Sequence, residues 1–197
     1  MWDERYAASD FAYGKKANDF LVSLGLKANG RQKVLCLAEG EGRNAVYLAQ
    51  LGFEVLAVDQ SGVGLQKALR LADENNVKIE VEQADLSNYK VPASAYAGIV
   101  SIYGHFNAAT RIHIHNESLR GLMKGGFLVI EAYSKEQLQS KSGGPSDEKL
   151  LYSFDEIEAD FDEQLDFIIK RNIKRPVLEG KYHTGVGSVI QIFGTKR

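Results

Sequence analysis

The chain predicts an α/β fold with a mostly parallel sheet and helices on both faces. Short apolar runs alternate with segments of helical periodicity through the first two thirds, which makes a βαβαβ series. Each crossover in such a series returns the chain in the same direction, so its strands pair in parallel. The last third instead holds two apolar runs with no helix between them, which predicts an antiparallel pair closing the sheet.

Val34 to Leu37 reads as a short buried strand, Arg43 to Leu51 as a helix, and Glu54 to Val58 as a second strand. Leu65, Leu69 and Ala72 share one helical face, so Gly64 to Asn75 forms a helix that Ser61 starts. Ile79 and Val81 alternate with Glu80 and Glu82, the pattern of a half-exposed strand near an edge. Ile99 to Tyr103 gives a fourth strand, Ile112 to Leu122 a helix, and Phe127 to Ala132 a fifth strand. Ser153 and Glu156 make a capping box for a short acidic helix carrying Phe154, Ile157 and Phe161. Leu165 to Ile173 and Val186 to Phe193 are the two late strands, separated by a loop with Gly180 and Gly185.

Residues 1–197 form a single domain, since no repeat or Pro/Ser-rich linker divides them. With 44% hydrophobic residues and a net charge of -2 the chain can bury a core, which excludes disorder. That charge also argues against a nucleic-acid binder, which needs a basic surface for phosphates. The single cysteine, Cys36, fits a reducing compartment. Acidic residues in Met1 to Tyr6 argue against a signal peptide, and no apolar run approaches the roughly 20 residues of a membrane span. The expectation is a soluble cytoplasmic protein with a small-molecule partner and no nucleic-acid or membrane partner.

The first strand runs into Ala38-Glu39-Gly40-Glu41-Gly42-Arg43-Asn44, a glycine turn opening a helix. Gly40 and Gly42 let a ligand approach the backbone, and Asp59 ends the second strand 17 residues after Gly42, where a carboxylate can accept from both hydroxyls of a ribose. The same residues satisfy G-x-G-x-x-A, so a nicotinamide-dinucleotide oxidoreductase is an alternative. Against it stand Asp85 as a second acid after the third strand, the lack of a Tyr-x-x-x-Lys pair, and a chain too short for a separate substrate domain.

Val34 through Asn44 with Asp59-Gln60-Ser61 resembles the opening of a class I S-adenosylmethionine-dependent methyltransferase, in particular the small bacterial branch similar to tellurite-resistance and thiopurine methyltransferases. The resemblance extends through Trp2 to Tyr6, Tyr13-Gly14, Gln83 to Leu86, Ser101 to His105 and Lys124 to Gly126. It implies a Rossmann-like seven-stranded sheet with an antiparallel C-terminal strand, and S-adenosylmethionine as cofactor. It further implies that Glu39, Gly40, Gly42, Arg43 and Asn44 hold the methionine end, Asp59 with Gln60 and Ser61 the ribose, and Asp85-Leu86 the adenine, while Ser101 to His105 line the transfer site. The chain departs from the family at Cys36, where an acid is usual, at Ala38, where a glycine is usual, and at Ala97-Gly98, where an aspartate is common. A cofactor-binding protein without catalysis is a third reading.

Methyl transfer is an in-line displacement that needs positioning, exclusion of water and, for a protic acceptor, a base. Candidates on the acceptor side are Tyr13, Tyr103, His105, Tyr133 and His183, with His105 placed to take a proton. His113 and His115 diverge on a helix and are not a metal pair, so no metal is expected. The acidic run from Asp155 to Glu163 reads as a solvated helix face, and Lys170, Arg171, Lys174, Arg175 and Lys181 as a surface strand with alternating charge that could favour an anionic substrate. Ser140 to Asp147 reads as a mobile loop placed to act as a lid.

Overall fold

The computed structural model describes residues 2–140 and 142–197. Two short helices, α1 (Trp2–Tyr6) and α2 (Asp19–Ser23), precede the alternating series. That series is β1 (Lys33–Leu37), α3 (Arg43–Gln50), β2 (Glu54–Asp59), α4 (Gly62–Glu74), β3 (Glu80–Gln83), β4 (Tyr96–Ile102), α5 (Ala108–Gly121) and β5 (Leu122–Tyr133). A short helix α6 (Phe154–Phe161) leads into the hairpin β6 (Leu165–Glu179) and β7 (His183–Lys196).

The seven strands lie in the order β3-β2-β1-β4-β5-β7-β6. The first five pair in parallel, and β7 joins β5 and β6 antiparallel. Strand order reverses between β1 and β4, so the crevice beyond their carboxyl ends is where a doubly wound sheet takes its ligand.

Both faces of the centre are covered. Leu35 and Leu37 of β1 pack with Ile114 and Leu119 of α5 and Ile157 and Phe161 of α6, whereas Val34 and Cys36 face Phe20, Leu21, Ala45 and Leu48 from α2 and α3. A strand buried on both faces reads as a continuous apolar run, which is why Val34 to Leu37 shows no alternation. β3 is the outer strand on its side and mostly exposed, as its alternation predicts.

Four expectations need correction. Helix α5 begins four residues before Ile112, at Ala108, because Asn107 accepts the Thr110 N–H at 3.0 Å and caps it. The late strands extend to Glu179 and start at His183, so Arg175 is no surface charge: it shares the period-2 face of Val177 and Glu179 and points inward. The acidic run is not wholly solvated, since Asp160 accepts from Arg111 and His115, both at 2.7 Å; the Asp162 side chain lies outside the described residues. In the loop after β5 Lys141 lies outside them too, but its neighbours are tied down. Ser142 Oγ donates to the Val186 carbonyl at 2.8 Å, and Gln137 donates to the Gly143 carbonyl at 2.7 Å. Among the described residues no helix is long and apolar enough to cross a membrane.

Candidate active site

The turn between β1 and α3 has no room for a side chain at Gly40 or Gly42. Gly42 caps α3 at φ 86°, and a Cβ there would stand 2.5 Å from the Ala68 Cβ of α4. Gly40, at φ 60°, donates its N–H to Asp59 Oδ2 at 2.8 Å, while Ser61 N–H donates to Asp59 Oδ1 at 2.8 Å. Asp59 is thereby fixed at the carboxyl end of β2. Glu39 Oε1 accepts from Asn44 N–H at 3.0 Å and Ala45 N–H at 2.8 Å, which fills the amino terminus of α3 with a carboxyl group. Burial pushes the Glu39 carboxyl up to about 7, against the pull of those two bonds. Glu41 is ion-paired with Lys67.

Three acids therefore crowd one turn. The N–H groups that would cradle a phosphate are already taken by Glu39, and the Asp59 carboxylate repels further negative charge. A positively charged ligand group fits here.

Helix α1 folds back over the turn. Asp3 Oδ1 accepts the Ser61 hydroxyl at 2.5 Å, and Lys67 Nζ donates to the carbonyls of Ala8 and Asp10 at 3.0 and 2.6 Å. This strap seats Tyr6 so close that a Cβ on Gly40 would meet its hydroxyl at 2.6 Å. Of the other predicted cofactor residues, Leu86 is buried in the core and Ser101 is buried on β4, while Gln60 and Asp85 are exposed. Asp85 accepts the Ser87 N–H at 2.9 Å and closes its own turn.

Across the crevice a set of rings closes on itself. Tyr103, the first residue after β4, holds the left-handed φ of 56° and donates its N–H to the Glu131 carbonyl at 2.7 Å. Its ring centroid lies 4.8 Å from Tyr133 and 4.7 Å from His183, and Tyr13 lies 4.6 Å from His183. His105 stacks on Tyr133 at 5.5 Å with 13° between the planes. Its Nδ1 is 3.0 Å from the Leu150 carbonyl, which only accepts, so that nitrogen carries the proton and Nε2 offers a lone pair. Burial holds His105 neutral, its pKa lowered to about 4, and lowers His183 to about 3. Burial pushes the Tyr133 hydroxyl up, so it stays a donor.

Beneath the rings lies a buried charge network. Arg175 donates to Glu131 Oε1 at 2.5 Å, to Glu179 Oε1 at 2.7 Å and to the Tyr103 hydroxyl at 3.2 Å. Arg43 pairs with Glu179, so it turns toward this network and away from the glycine turn. Asn18 donates to Glu131 at 2.7 Å and Glu179 at 3.0 Å, and its own N–H donates to Asn44 Oδ1 at 2.9 Å. Gln191 donates to Glu131.

Residues 34–126 match the family model described as a methyltransferase domain. The chain has the fold of a class I methyltransferase. No curated protein matches it. Its fold is similar to that of a protein solved in work on the conversion of a disulfide bond into a thioacetal group during echinomycin biosynthesis, at TM-score 0.76 and 17% identity over 99% of this chain and 90% of that one. TehB from Haemophilus influenzae superposes at TM-score 0.72 and 17% identity over all of this chain and 66% of its own. An S-adenosylmethionine-dependent methyltransferase from Clostridium acetobutylicum does so at 0.67 and 17% over 98% and 95%.

In this methyltransferase fold Cys36 is a fully buried β1 residue whose thiol burial pushes well up, so it is core and not chemistry. Ala38 adopts φ 53°, the left-handed shape a glycine would take there, so the turn is kept at a cost in strain. His113 and His115 diverge, one to the Tyr89 carbonyl at 2.9 Å and the other to Asp160. Among the described residues no cluster could hold a metal. Sequence reasoning missed Asn18, Glu131, Glu179 and Gln191 and misplaced Arg175. The alternation Ile173, Arg175, Val177, Glu179 was the available signal.

Proposed function

We propose that this methyltransferase domain transfers a methyl group from S-adenosylmethionine to a small-molecule acceptor in the cytoplasm. The observation that carries the choice of cofactor is the acid-lined turn. Glu39, Glu41 and Asp59 suit a ligand bearing a sulfonium and an ammonium, whereas a dinucleotide's pyrophosphate would meet Glu39 where it needs N–H donors. When bound, the cofactor supplies an electrophilic methyl group on its positively charged sulfur. Glu39, Gly40, Gly42 and Asn44 shape the turn that holds its amino-acid end, and Asp59 accepts from the ribose hydroxyls. Gln60, Ser61, Asp85 and Leu86 line the way to the base, and Ser101 underlies the junction of the two halves.

On the acceptor side, Tyr13, Tyr103 and His183 enclose the reacting atoms and exclude water. His105 Nε2, with its lone pair free and its ring fixed through Leu150, accepts the proton of a protic acceptor as the new bond makes that proton acidic. Arg43 and Arg175 hold the floor of the site through Glu179 and Glu131.

Thermal denaturation with ligands tests the reading. S-adenosylhomocysteine raises the melting temperature and NAD does not; stabilisation by NAD alone sinks the proposal. Asp59→Ala weakens S-adenosylhomocysteine binding by about 1.5–3 kcal/mol, the order for charge-assisted hydrogen bonds. Unchanged affinity in a folded variant removes Asp59 from the site.

A further inference from the structure

Three buried polar atoms in the ring set have no hydrogen-bond partner: His105 Nε2, the Tyr133 hydroxyl and His183 Nδ1. Buried polar atoms are ordinarily paired, and unpaired ones gathered in one place are the mark of a ligand's polar group. Two of the three have definite and opposite character. The Leu150 contact makes His105 Nε2 an acceptor, and the Tyr133 hydroxyl, fully buried and without a hydrogen-bond partner, has its O–H free to donate on the adjacent parallel ring.

We infer that the atom receiving the methyl group is the oxygen of an uncharged hydroxyl on a flat apolar molecule, hydrogen-bonded from one side by Tyr133 and from the other by His105; this rests on the methyl-transfer reading above. A hydroxyl donates and accepts strongly through a single atom, whereas an aliphatic amine is protonated near neutral pH and an arylamine nitrogen accepts weakly. A thiol does both weakly. An ammonium has no lone pair for the Tyr133 O–H or for attack. A carboxylate or other oxyanion brings no hydrogen for His105 Nε2 and finds no free guanidinium inside, because Arg43 and Arg175 are committed to Glu179 and Glu131. Arg5, the other nearby cation, is exposed and lies over the outer ring of Tyr182 at 4.6 Å. Tyr103 and His183 present ring faces and edges to what remains, which favours a flat body behind the hydroxyl.

The step balances without a further reactant. The hydroxyl oxygen bonds to the methyl carbon, and the carbon–sulfur bond breaks with its electron pair passing to sulfur. The hydroxyl proton goes to His105 Nε2 and from there to solvent.

The test is calorimetric titration of phenol, benzenethiol, benzoate and toluene into protein saturated with S-adenosylhomocysteine, whose own binding is measured first. Phenol binds at least about 10-fold more tightly than toluene or benzenethiol, and benzoate binds weakest. Tyr133→Phe and His105→Phe each remove most of phenol's advantage over toluene while S-adenosylhomocysteine affinity stays within a few-fold. An advantage below about threefold, a preference for benzenethiol or benzoate, no binding by any of the four, or an advantage that survives both substitutions overturns the inference. If S-adenosylhomocysteine does not bind, the methyl-transfer reading fails instead, and the same four titrations into the unloaded protein decide the hydroxyl site by the same criteria.

Discussion

Ala38 stands in the left-handed region, at φ 53°, where its Cβ crowds the following carbonyl. That conformation costs an alanine about 1–2 kcal/mol, and glycine escapes it while giving back roughly 0.4–1 kcal/mol through a freer unfolded chain. Ala38→Gly therefore raises stability by about 0.5–1 kcal/mol in urea denaturation. A lower midpoint would mean that the methyl group's packing against the core cluster that holds Leu37 and Val58 outweighs the strain. Cys36 was legible as core from its place in an apolar run; the strain at Ala38 was not, because one sequence shows a residue type and no dihedral angle.

The β6–β7 hairpin determines the floor of the site. Antiparallel pairing sets Glu131 of β5 opposite Gln191 of β7, and Gln191 opposite Arg171 of β6, which donates to it at 2.8 Å, so side chains far apart in sequence share one network. Glu131 is 0% exposed, and its charge is tolerable because Arg175, Asn18 and Gln191 all donate to it. Arg175→Met leaves that carboxylate buried without its cation and costs about 3–5 kcal/mol. Adding Glu131→Gln removes the stranded charge, so the double variant loses clearly less than the sum of the two single losses. Additive losses in the denaturation cycle would show that the two residues do not couple.

Stability against pH involves several buried groups at once. An unfolded histidine takes a proton near 6.5, but the fold keeps His105 neutral down to about 4 and His183 down to about 3. Their contribution is therefore present above pH 6.5 and lost as the pH falls toward those values. Glu39 works the other way: an unfolded glutamate ionises near 4.5, whereas the folded one stays protonated up to about 7. Between pH 6.5 and 4.5 these three groups leave the unfolded chain about one proton ahead, and stability falls by up to about 1.4 kcal/mol per pH unit. His115, lowered by burial, adds to the loss. Glu39→Gln removes the opposing proton, so its stability falls more steeply over the same range in urea titrations at pH 6.5, 5.5 and 4.5. A slope equal to the parent's would show that Glu39 is ionised in the folded protein.

The sequence by itself determined the alternating elements, the antiparallel close of the sheet, the glycine turn and the acid ending β2. Each is a local matter: burial imprints a period on the chain, Gly40 and Gly42 supply backbone shapes other residues avoid, and Asp59 follows its strand directly. Tertiary structure decided that α1 straps Tyr6 over that turn, that Arg175 pairs with Glu131, 44 residues away, and that His105 and Tyr133 stack with their polar atoms unpartnered. Those facts depend on strand register and on which groups find partners after burial. No short-range pattern records either, because each is set by contacts between segments that meet only when the sheet closes.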